Sequence, residues 1–240
     1  MYNIAIDGPV GSGKSTLAKM LATRLGFRFL DTGAIYRGMA CYFRYKNIVE
    51  INENSINSII DEITVKVKFI ENVQHVIVSG IDFTSNLREE EISMLSSKIS
   101  NYPQIRDKIL DIQRDFAKEY DCVLEGRDIG TVVLPNADLK IYLTANEKTR
   151  AQRRYEQDKL KNPNISYQEI FKDLKERDFE NEHRKIAPLR PAEDSVIIDN
   201  TEINLEQTCD LCENIFKQKI ANKWYKIFIF VTCLLTKITY

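Results

Sequence analysis

The sequence predicts an α/β fold with a mostly parallel, five-stranded sheet flanked by helices. Short, mainly apolar runs alternate with longer segments whose apolar residues recur every three or four positions. The short runs are typical of buried strands and the longer segments are typical of helices. A glycine-rich loop also separates the first run from the first helical pattern. Because parallel strands align their carboxyl ends, we expect functional groups to collect at that edge of the sheet.

The individual elements follow from these patterns. The five predicted core strands are 2–6, 27–30, 122–125, 139–143 and 195–199. The predicted helices are 17–25, 34–45, a short one at 56–60, 92–100, 103–120, 147–161, 167–183 and 205–219. Pro103 suits a helix start, and Ser166 with Glu169 forms a capping box.

One segment departs from the buried-strand pattern. Apolar and polar residues alternate in 64–69 and again in 75–79. This alternation is typical of antiparallel strands with one face in solvent. We therefore expect a hairpin inside a small β-rich insert that covers roughly residues 60–90.

The first strand leads into Gly8-Pro9-Val10-Gly11-Ser12-Gly13-Lys14-Ser15-Thr16, which fits the pattern G-x-x-x-x-G-K-[ST]. Glycines let such a loop turn its N–H groups toward phosphate oxygens, at a helix N-terminus whose dipole favours anions. Lys14 can reach the outer phosphates of a nucleoside triphosphate, and the Ser15 hydroxyl can bind Mg²⁺. The loop predicts a P-loop core that binds ATP; the alternative is a glycine-rich turn that binds nothing.

Two further predicted strands end in polar residues. Asp31-Thr32-Gly33 follows the second strand, and Gly126-Arg127-Asp128 follows the third. Either aspartate can be a helix cap or a turn residue. However, Arg37 and Arg127 lie next to these clusters, and a guanidinium fork suits bidentate phosphate binding. We expect a second anion site that faces the P-loop.

The segment 147–184 is rich in arginine. Arg150, Arg153 and Arg154 belong to one predicted helix, and Arg177 and Arg184 belong to the next. Such a segment can be a solvated, salt-bridged face. Phosphoryl transfer also uses cations that cover the γ-phosphate and exclude water. We interpret the segment as a helical, arginine-rich lid.

The amino-acid composition and net charge indicate a globular protein without a general affinity for nucleic acid or membranes. The chain has 240 residues, of which 43% are hydrophobic and 29% charged, with a formal net charge of −1. These values are ordinary for a globular protein, and they give no global field that would attract nucleic acid or a membrane. The N-terminus shows no signal-peptide pattern, so we expect a cytoplasmic protein. We also expect a monomer.

The cysteines carry little functional signal. Cys209 and Cys212 form a C-x-x-C, but no second pair accompanies them and the two histidines are distant in sequence. We expect two positions on one helix face rather than a zinc or redox site.

The C-terminal segment 221–240 is strongly apolar. Lys226 and Lys237 bracket only ten residues, fewer than the roughly 17–25 that span a bilayer. We therefore expect no stable membrane span. The open alternatives are an interfacial anchor, a helix that packs on a partner or on the core, and the start of a further domain.

Four blocks occur in order across most of residues 1–200: G-P-x-G-S-G-K-S-T, L-D-T-G-A-I-Y-R, G-R-D-I-G-T-V-V and R-D-x-x-x-x-x-R-x-x-x-P-L. This combination resembles bacterial cytidylate kinase. The resemblance implies a kinase domain at 1–220, in which 60–90 is the insert that binds the nucleoside monophosphate and 147–184 is the lid. It implies transfer of the γ-phosphate of ATP to CMP, and to dCMP, with Mg²⁺, in pyrimidine nucleotide metabolism. The implied partners are these small molecules.

The resemblance also implies roles for single residues. The implied catalytic cations are Lys14, Arg127, Arg154 and Arg177, and the implied substrate-binding residues are Thr32, Arg37, Ser97, Arg106, Arg127, Asp128, Arg177, Asn181 and Arg184. Arg37 and Arg127 would bind the acceptor phosphate, and Asp128 would contact the cytosine ring. An ionised carboxylate can accept from the cytosine amino group, whereas uracil reverses the donor pattern there.

Asn181 is a departure from the family pattern, which usually has an aspartate that binds the ribose hydroxyls. An asparagine keeps hydrogen-bonding capacity but carries no charge. We expect weaker ribose binding and poorer discrimination between ribose and deoxyribose.

Other functions stay open at the level of sequence. Within the same class the chain can be another small-molecule P-loop kinase, acting on UMP, a coenzyme precursor or shikimate. From other classes, it can be an ATP-sensing regulator without turnover or a membrane-docked scaffold.

Overall fold

A five-stranded parallel sheet lies at the centre of the computed structural model, which describes residues 1–48, 50–71, 73–160 and 162–237, with only the backbone for 223–237. The strands in chain order are β1 (Asn3–Asp7), β2 (Arg28–Asp31), β3 (Val65–Ile70), β4 (Val73–Val78), β5 (Ile81–Asp82), β6 (Cys122–Gly126), β7 (Leu139–Thr144) and β8 (Val196–Asp199). The central sheet has the order β2-β6-β1-β7-β8, and all its neighbouring strands pair in parallel. The predicted fold class is confirmed.

Helices connect the strands and cover both faces. They are α1 (Lys14–Leu25), α2 (Thr32–Tyr45), α3 (Glu53–Asn57), α4 (Glu90–Ile99), α5 (Pro103–Glu119), α6 (Glu147–Lys159), α7 (Tyr167–His183) and α8 (Leu205–Lys237). Short 3₁₀ turns cover Ile60–Glu62 and Thr84–Asn86, and a π-helical turn covers Ile129–Val133. Ser166 and Glu169 form the predicted capping box of α7.

Strand β1 shows why the sheet needs helices on both sides. Ile4 and Ile6 point into one apolar cluster, which α1 and α8 complete, while Ala5 belongs to the cluster on the opposite face. This division follows from the alternation of side chains along a strand. Cys209 and Cys212 are buried in the first cluster, so they occupy a packed helix face as predicted.

Helix α8 extends beyond its predicted end at residue 219. It continues without interruption to Lys237, and the segment contains no glycine or proline that would end a helix. The side chains of 223–237 and the last three residues lie outside the described part, so the role of the segment 221–240 stays a prediction. Among the helices that the structure describes, none combines the length and apolar character needed to cross a membrane.

The β-rich insert is an antiparallel sheet with the order β3-β4-β5. Val76 and Val78 of β4 lie in the same buried cluster as Leu30 and Leu124 of the central sheet. The insert therefore shares the main core instead of forming a separate lobe. Its contact with α2 is close at Gly38, where an added Cβ would lie 2.3 Å from Val76 Cγ1.

The close contact at Gly38 predicts a context-dependent effect of Gly38→Ala. The new methyl group overpacks against Val76, which typically costs about 1–3 kcal/mol, while alanine regains about 1 kcal/mol of helix propensity. We expect the free energy of unfolding, measured in urea, to fall in the wild-type background. In a Val76→Ala background the same change should be neutral or stabilising. Equal destabilisation in both backgrounds would contradict this account of the packing.

Candidate active site

A cavity of about 790 Å³ lies where the parallel strands end. The P-loop after β1, Thr32 after β2, Asp128 after β6 and Asn200 after β8 all line it. Side chains of α6 and α7 line it too, among them Arg154 and Arg177. The carboxyl edge of the sheet is therefore where the predicted polar groups meet.

The structure brings nearly all the predicted site residues to this cavity. Those that line it are Val10, Gly11, Gly13, Lys14, Ser15, Thr16, Thr32, Arg37, Ser97, Arg106, Arg127, Asp128, Arg154, Arg177, Asn181 and Arg184. Gly8, Pro9 and Ser12 of the P-loop are not among its lining residues. Gly8 packs against β7 so closely that an added Cβ would lie 2.0 Å from the Leu143 carbonyl oxygen. The buried Ser12 hydroxyl donates to Pro9 O at 3.1 Å.

The P-loop holds its lysine inside the turn. Gly11 and Gly13 have φ angles of 74° and 91°, in the left-handed region that glycine tolerates. Gly13 precedes α1, and no described side chain caps that helix, so its first N–H groups can meet an anion. The buried Lys14 Nζ donates to Pro9 O at 2.6 Å. Burial, and then the nearby charge of Arg127, hold the pKa of Lys14 well below its usual range.

Ser15 pairs with a carboxylate that the sequence analysis did not select. The Ser15 Oγ donates to Glu125 Oε1 at 2.7 Å. Glu125 lies near the end of β6, the strand that pairs with β1. Burial first, and the charge of Asp31 second, raise the pKa of Glu125. The sequence feature that could have indicated Glu125 is its position as an acidic residue at the end of the buried strand 122–125. A hydroxyl and a carboxylate are hard oxygen donors, and Mg²⁺ takes few protein ligands beside phosphates and waters, so this pair fits Mg²⁺.

Asp128 lies between two arginines. Its Oδ2 forms an ion pair with Arg106, and its Oδ1 accepts from Arg184 Nη2 at 3.0 Å. All three side chains are nearly buried. The Arg106 guanidinium lies 6.0 Å from the ring centroid of Tyr36, and burial raises the pKa of that phenol to about 12. This cluster presents guanidinium donors and a carboxylate acceptor to one end of the cavity.

Asp31 orients Arg37 and also caps α2. Its Oδ2 accepts from Arg37 Nη2 at 2.8 Å, and its Oδ1 accepts from Ala34 N at 2.8 Å. The helix-cap role considered for Asp31 is therefore correct, and it coexists with the ion pair. Gln74 of the insert supports the same residue, because its amide accepts from Asp31 N at 2.8 Å and donates to Asp31 O at 3.0 Å. The insert thus contacts Asp31 at the end of the edge strand β2, and Asp31 in turn orients Arg37 of α2.

The arginines around the cavity differ in how far they are already satisfied. Arg153 donates to the Asn200 side chain at 2.9 Å, and Asn200 in turn donates to Ser12 O at 3.1 Å. Arg154 has a half-exposed side chain that pairs with Asp158 of the same helix, and Arg177 lies 3.8 Å from Asp173.

Arg127 differs from these arginines. It donates to Gly126 O at 3.1 Å, and no carboxylate of the described residues lies within ion-pair distance of it. Burial lowers the pKa of Arg127. Arg127 is therefore a cation available to an anionic ligand.

Asp7 ties the P-loop strand to the turn after β6. Its two carboxylate oxygens accept from Ile129 N at 2.8 Å and Gly130 N at 2.7 Å. Burial raises the pKa of Asp7 to about 6, although these two hydrogen bonds act in the opposite direction. This carboxylate holds the π-helical turn that follows Arg127 and Asp128. Sequence reasoning placed no role on it, because its partners are distant along the chain.

Comparisons with known proteins agree with this geometry. The family model described as "Cytidylate kinase" matches residues 4–218. This chain belongs to the cytidylate kinase family. A cytidylate kinase of Caldicellulosiruptor saccharolyticus is 39% identical over 221 residues, which are 92% of this chain and 98% of the relative. A cytidylate kinase of Thermotoga neapolitana is 41% identical over 206 residues, covering 86% and 92% of the two chains.

Among solved structures, an uncharacterized protein from Eubacterium ventriosum resembles the chain in fold. Its TM-score is 0.51 at 12% sequence identity, and the match covers 90% of this chain and 99% of that protein. At this identity the likeness concerns the fold alone.

The raised pKa of Asp7 predicts a pH dependence of stability. The folded state binds the proton with a pKa of about 6, against 3.8 for the reference carboxyl. The stability from this proton is fully present below about 3.8 and is lost as the pH rises through about 6. The free energy of unfolding, measured in urea, should therefore fall for the wild type relative to Asp7→Asn as the pH rises from about 4 to above 6. A difference that is the same at pH 4 and at pH 7.5 would refute this assignment.

Proposed function

We propose that this protein transfers the γ-phosphoryl group of ATP to CMP, and also to dCMP, giving ADP and CDP or dCDP. The observation that carries the proposal is that one cavity joins the P-loop to the Arg106–Asp128–Arg184 cluster. Membership of the cytidylate kinase family supports the same reaction. Two nucleotides bound in this cavity would bring their phosphates together between the P-loop and the arginines.

The cluster around Asp128 suits cytosine. The Asp128 carboxylate is paired with two guanidinium groups, and its remaining lone pairs can accept from the cytosine amino group. Arg106 and Arg184 can donate to the ring acceptors O2 and N3. Uracil presents the opposite pattern at positions 3 and 4 and would leave buried groups unpaired, which a hydrogen-bonding site rejects.

The phosphate end of the cavity suits an in-line transfer. Arg127 and Arg37 would bind the acceptor phosphate, while Lys14, Arg154 and Arg177 would screen the transferred group. The acceptor phosphate is already anionic, so no general base is required, and catalysis consists mainly of positioning and electrostatic stabilisation. The low pKa that burial gives Lys14 is countered when phosphate charge arrives beside its ammonium group.

Mg²⁺ belongs to this proposal. Ser15 and Glu125 would hold the ion through their oxygen atoms, which lie 2.7 Å apart. When bound, the ion supplies charge neutralisation at the outer phosphates of ATP. A cytoplasmic, monomeric enzyme is also proposed, with 221–240 making at most a weak contact with a membrane or with another domain.

The proposal is tested by the release of ADP in a coupled assay with CMP, dCMP, UMP, AMP and shikimate, with and without Mg²⁺. CMP should give the highest kcat/KM, and turnover should require Mg²⁺. Lys14→Met keeps the apolar stem but removes the charge, so kcat should fall about 100-fold or more. Lys148→Met, at an exposed position on α6, serves as the control and should retain full activity. A higher kcat/KM with UMP or shikimate would refute the proposed substrate, and no turnover with any acceptor would refute the kinase.

Asn181 gives a second prediction. Its Nδ2 donates to Arg177 O at 2.5 Å, one turn earlier in α7. Aspartate cannot make this bond and would be repelled by the carbonyl oxygen, so its carboxylate should turn toward the cavity. We expect Asn181→Asp to lower the KM for CMP by roughly 2- to 10-fold, the value of one hydrogen bond. The KM for dCMP is the internal control and should change less. An unchanged KM for CMP would contradict a ribose contact at this position.

A further inference from the structure

Both backbone groups of Val10, at the tip of the P-loop, are bound by side chains of the lid helices. Val10 N donates to Asp178 Oδ1 of α7 at 2.9 Å. Val10 O accepts from Arg150 Nη1 of α6 at 2.9 Å. Arg150 also forms an ion pair with Asp178 Oδ2, which closes a ring of three residues that are all buried. The loop tip is therefore tied to two helices that lie about 140 and 170 residues further along the chain.

Apolar contacts reinforce this ring. The Val10 side chain packs in a small buried cluster with Ala151 of α6 and Leu174 of α7. At the next residue, an added Cβ on Gly11 would lie 2.9 Å from Arg150 O, so the loop backbone runs directly against α6. Packing alone thus already holds the loop near the helices. The ring adds direction, because hydrogen bonds to a peptide fix its orientation.

The ring involves the residue next to a cavity-lining cation. Asp178 directly follows Arg177, which lines the cavity. The negative charge of Asp178 favours the charged forms of Lys14 and Arg127, against the effect of burial on their pKa values. Val10 belongs to the P-loop backbone, and Asp178 and Arg177 are consecutive residues of α7, so the ring joins the loop to the helix that carries Arg177. Any shift of one against the other would separate the groups that must act on the same phosphates.

We propose that Asp178, together with Arg150, is a positioning residue that holds the P-loop tip and the lid helices in one fixed arrangement, so that Lys14 and Arg177 face the same phosphoryl group. This inference rests on the proposed function. Arg150 accordingly serves the loop and not the substrate, since it is buried, is not among the residues that line the cavity, and donates through Nε and Nη1 to Ala145 O, Val10 O and Asp178. A buried ion pair is costly to desolvate and is often replaceable by apolar residues without loss of stability, so stability and positioning can be separated by mutation.

The test compares two charge-neutral double variants. Arg150→Met with Asp178→Asn keeps an oxygen that can accept from Val10 N, whereas Arg150→Met with Asp178→Leu removes it. We expect the leucine variant to lose about 10- to 100-fold in kcat, because small misplacements in a transfer site have effects of that size. Its KM for CMP should stay within about twofold, and the asparagine variant should keep a clearly higher kcat than the leucine variant, although below wild type because it lacks the Arg150 bond to Val10 O. Equal kcat in the two variants, or a leucine variant with wild-type kcat, would overturn the proposal.

A matched control lies on the same helix. Lys172 and Glu176 form an exposed pair at 3.7 Å on α7, and Lys172→Met with Glu176→Leu should leave kcat unchanged. Thermal unfolding of every variant separates lost stability from lost turnover. A purely structural role would lower the melting temperature and kcat of both double variants together, and that outcome would also overturn the proposal.

Amide exchange at Val10 tests the contact without any assay of activity. In the wild type, the Val10 amide should exchange as slowly as the amides in the middle of α7, because the two elements open together. Faster exchange at Val10 would overturn the proposal even where the leucine variant does not fold. If wild-type protein releases no ADP with CMP, the proposed function fails, while this exchange measurement still reports whether the loop and the lid are joined.

Discussion

The parallel pairing of β1 with β6 is the constraint on which the site depends. In this register Asp7 lies beside Gly126, so the P-loop and the turn with Arg127 and Asp128 leave the sheet at the same level. A one-residue slip would turn every buried side chain of β1 to the other face and would separate Ser15 from Glu125. Asp7 reinforces the alignment by binding two amides of the turn after β6.

The charges of the cavity are arranged before any substrate binds. Arg37 is oriented by Asp31, and Arg106 and Arg184 are oriented by Asp128. Arg127 and Lys14 are different, because burial lowers the pKa of each and neither forms an ion pair within the described part of the chain. Holding such cations without a carboxylate counter-ion is unfavourable in the free protein. An anionic ligand relieves that cost. Cations that are already in place can stabilise a transferred phosphoryl group without rearrangement of the protein.

The sequence predicted elements more reliably than contacts. The alternating hairpin of the insert, the capping box at Ser166 and the five core strands appeared as expected, because each follows from local periodicity or a short-range motif. The predicted site residues also line one cavity almost without exception. Whether each of them binds what the resemblance implies stays a prediction. The predicted helix 205–219 ends too early, because no glycine or proline follows that would end it before Lys237.

What the sequence alone determined was the P-loop, the parallel α/β architecture and the residues matching four family blocks, since these depend on neighbours in the chain. Only the tertiary structure decided which carboxylates support the site. Three hydrogen bonds join residues that are 110, 168 and 123 positions apart: Ser15 to Glu125, Val10 to Asp178 and Gly130 to Asp7. Such partners are chosen by the register of the sheet and the docking of helices, not by local pattern. Tertiary structure also separated the arginines of α6, because Arg153 and Arg154 line the cavity whereas Arg150 is buried against Val10 O of the P-loop.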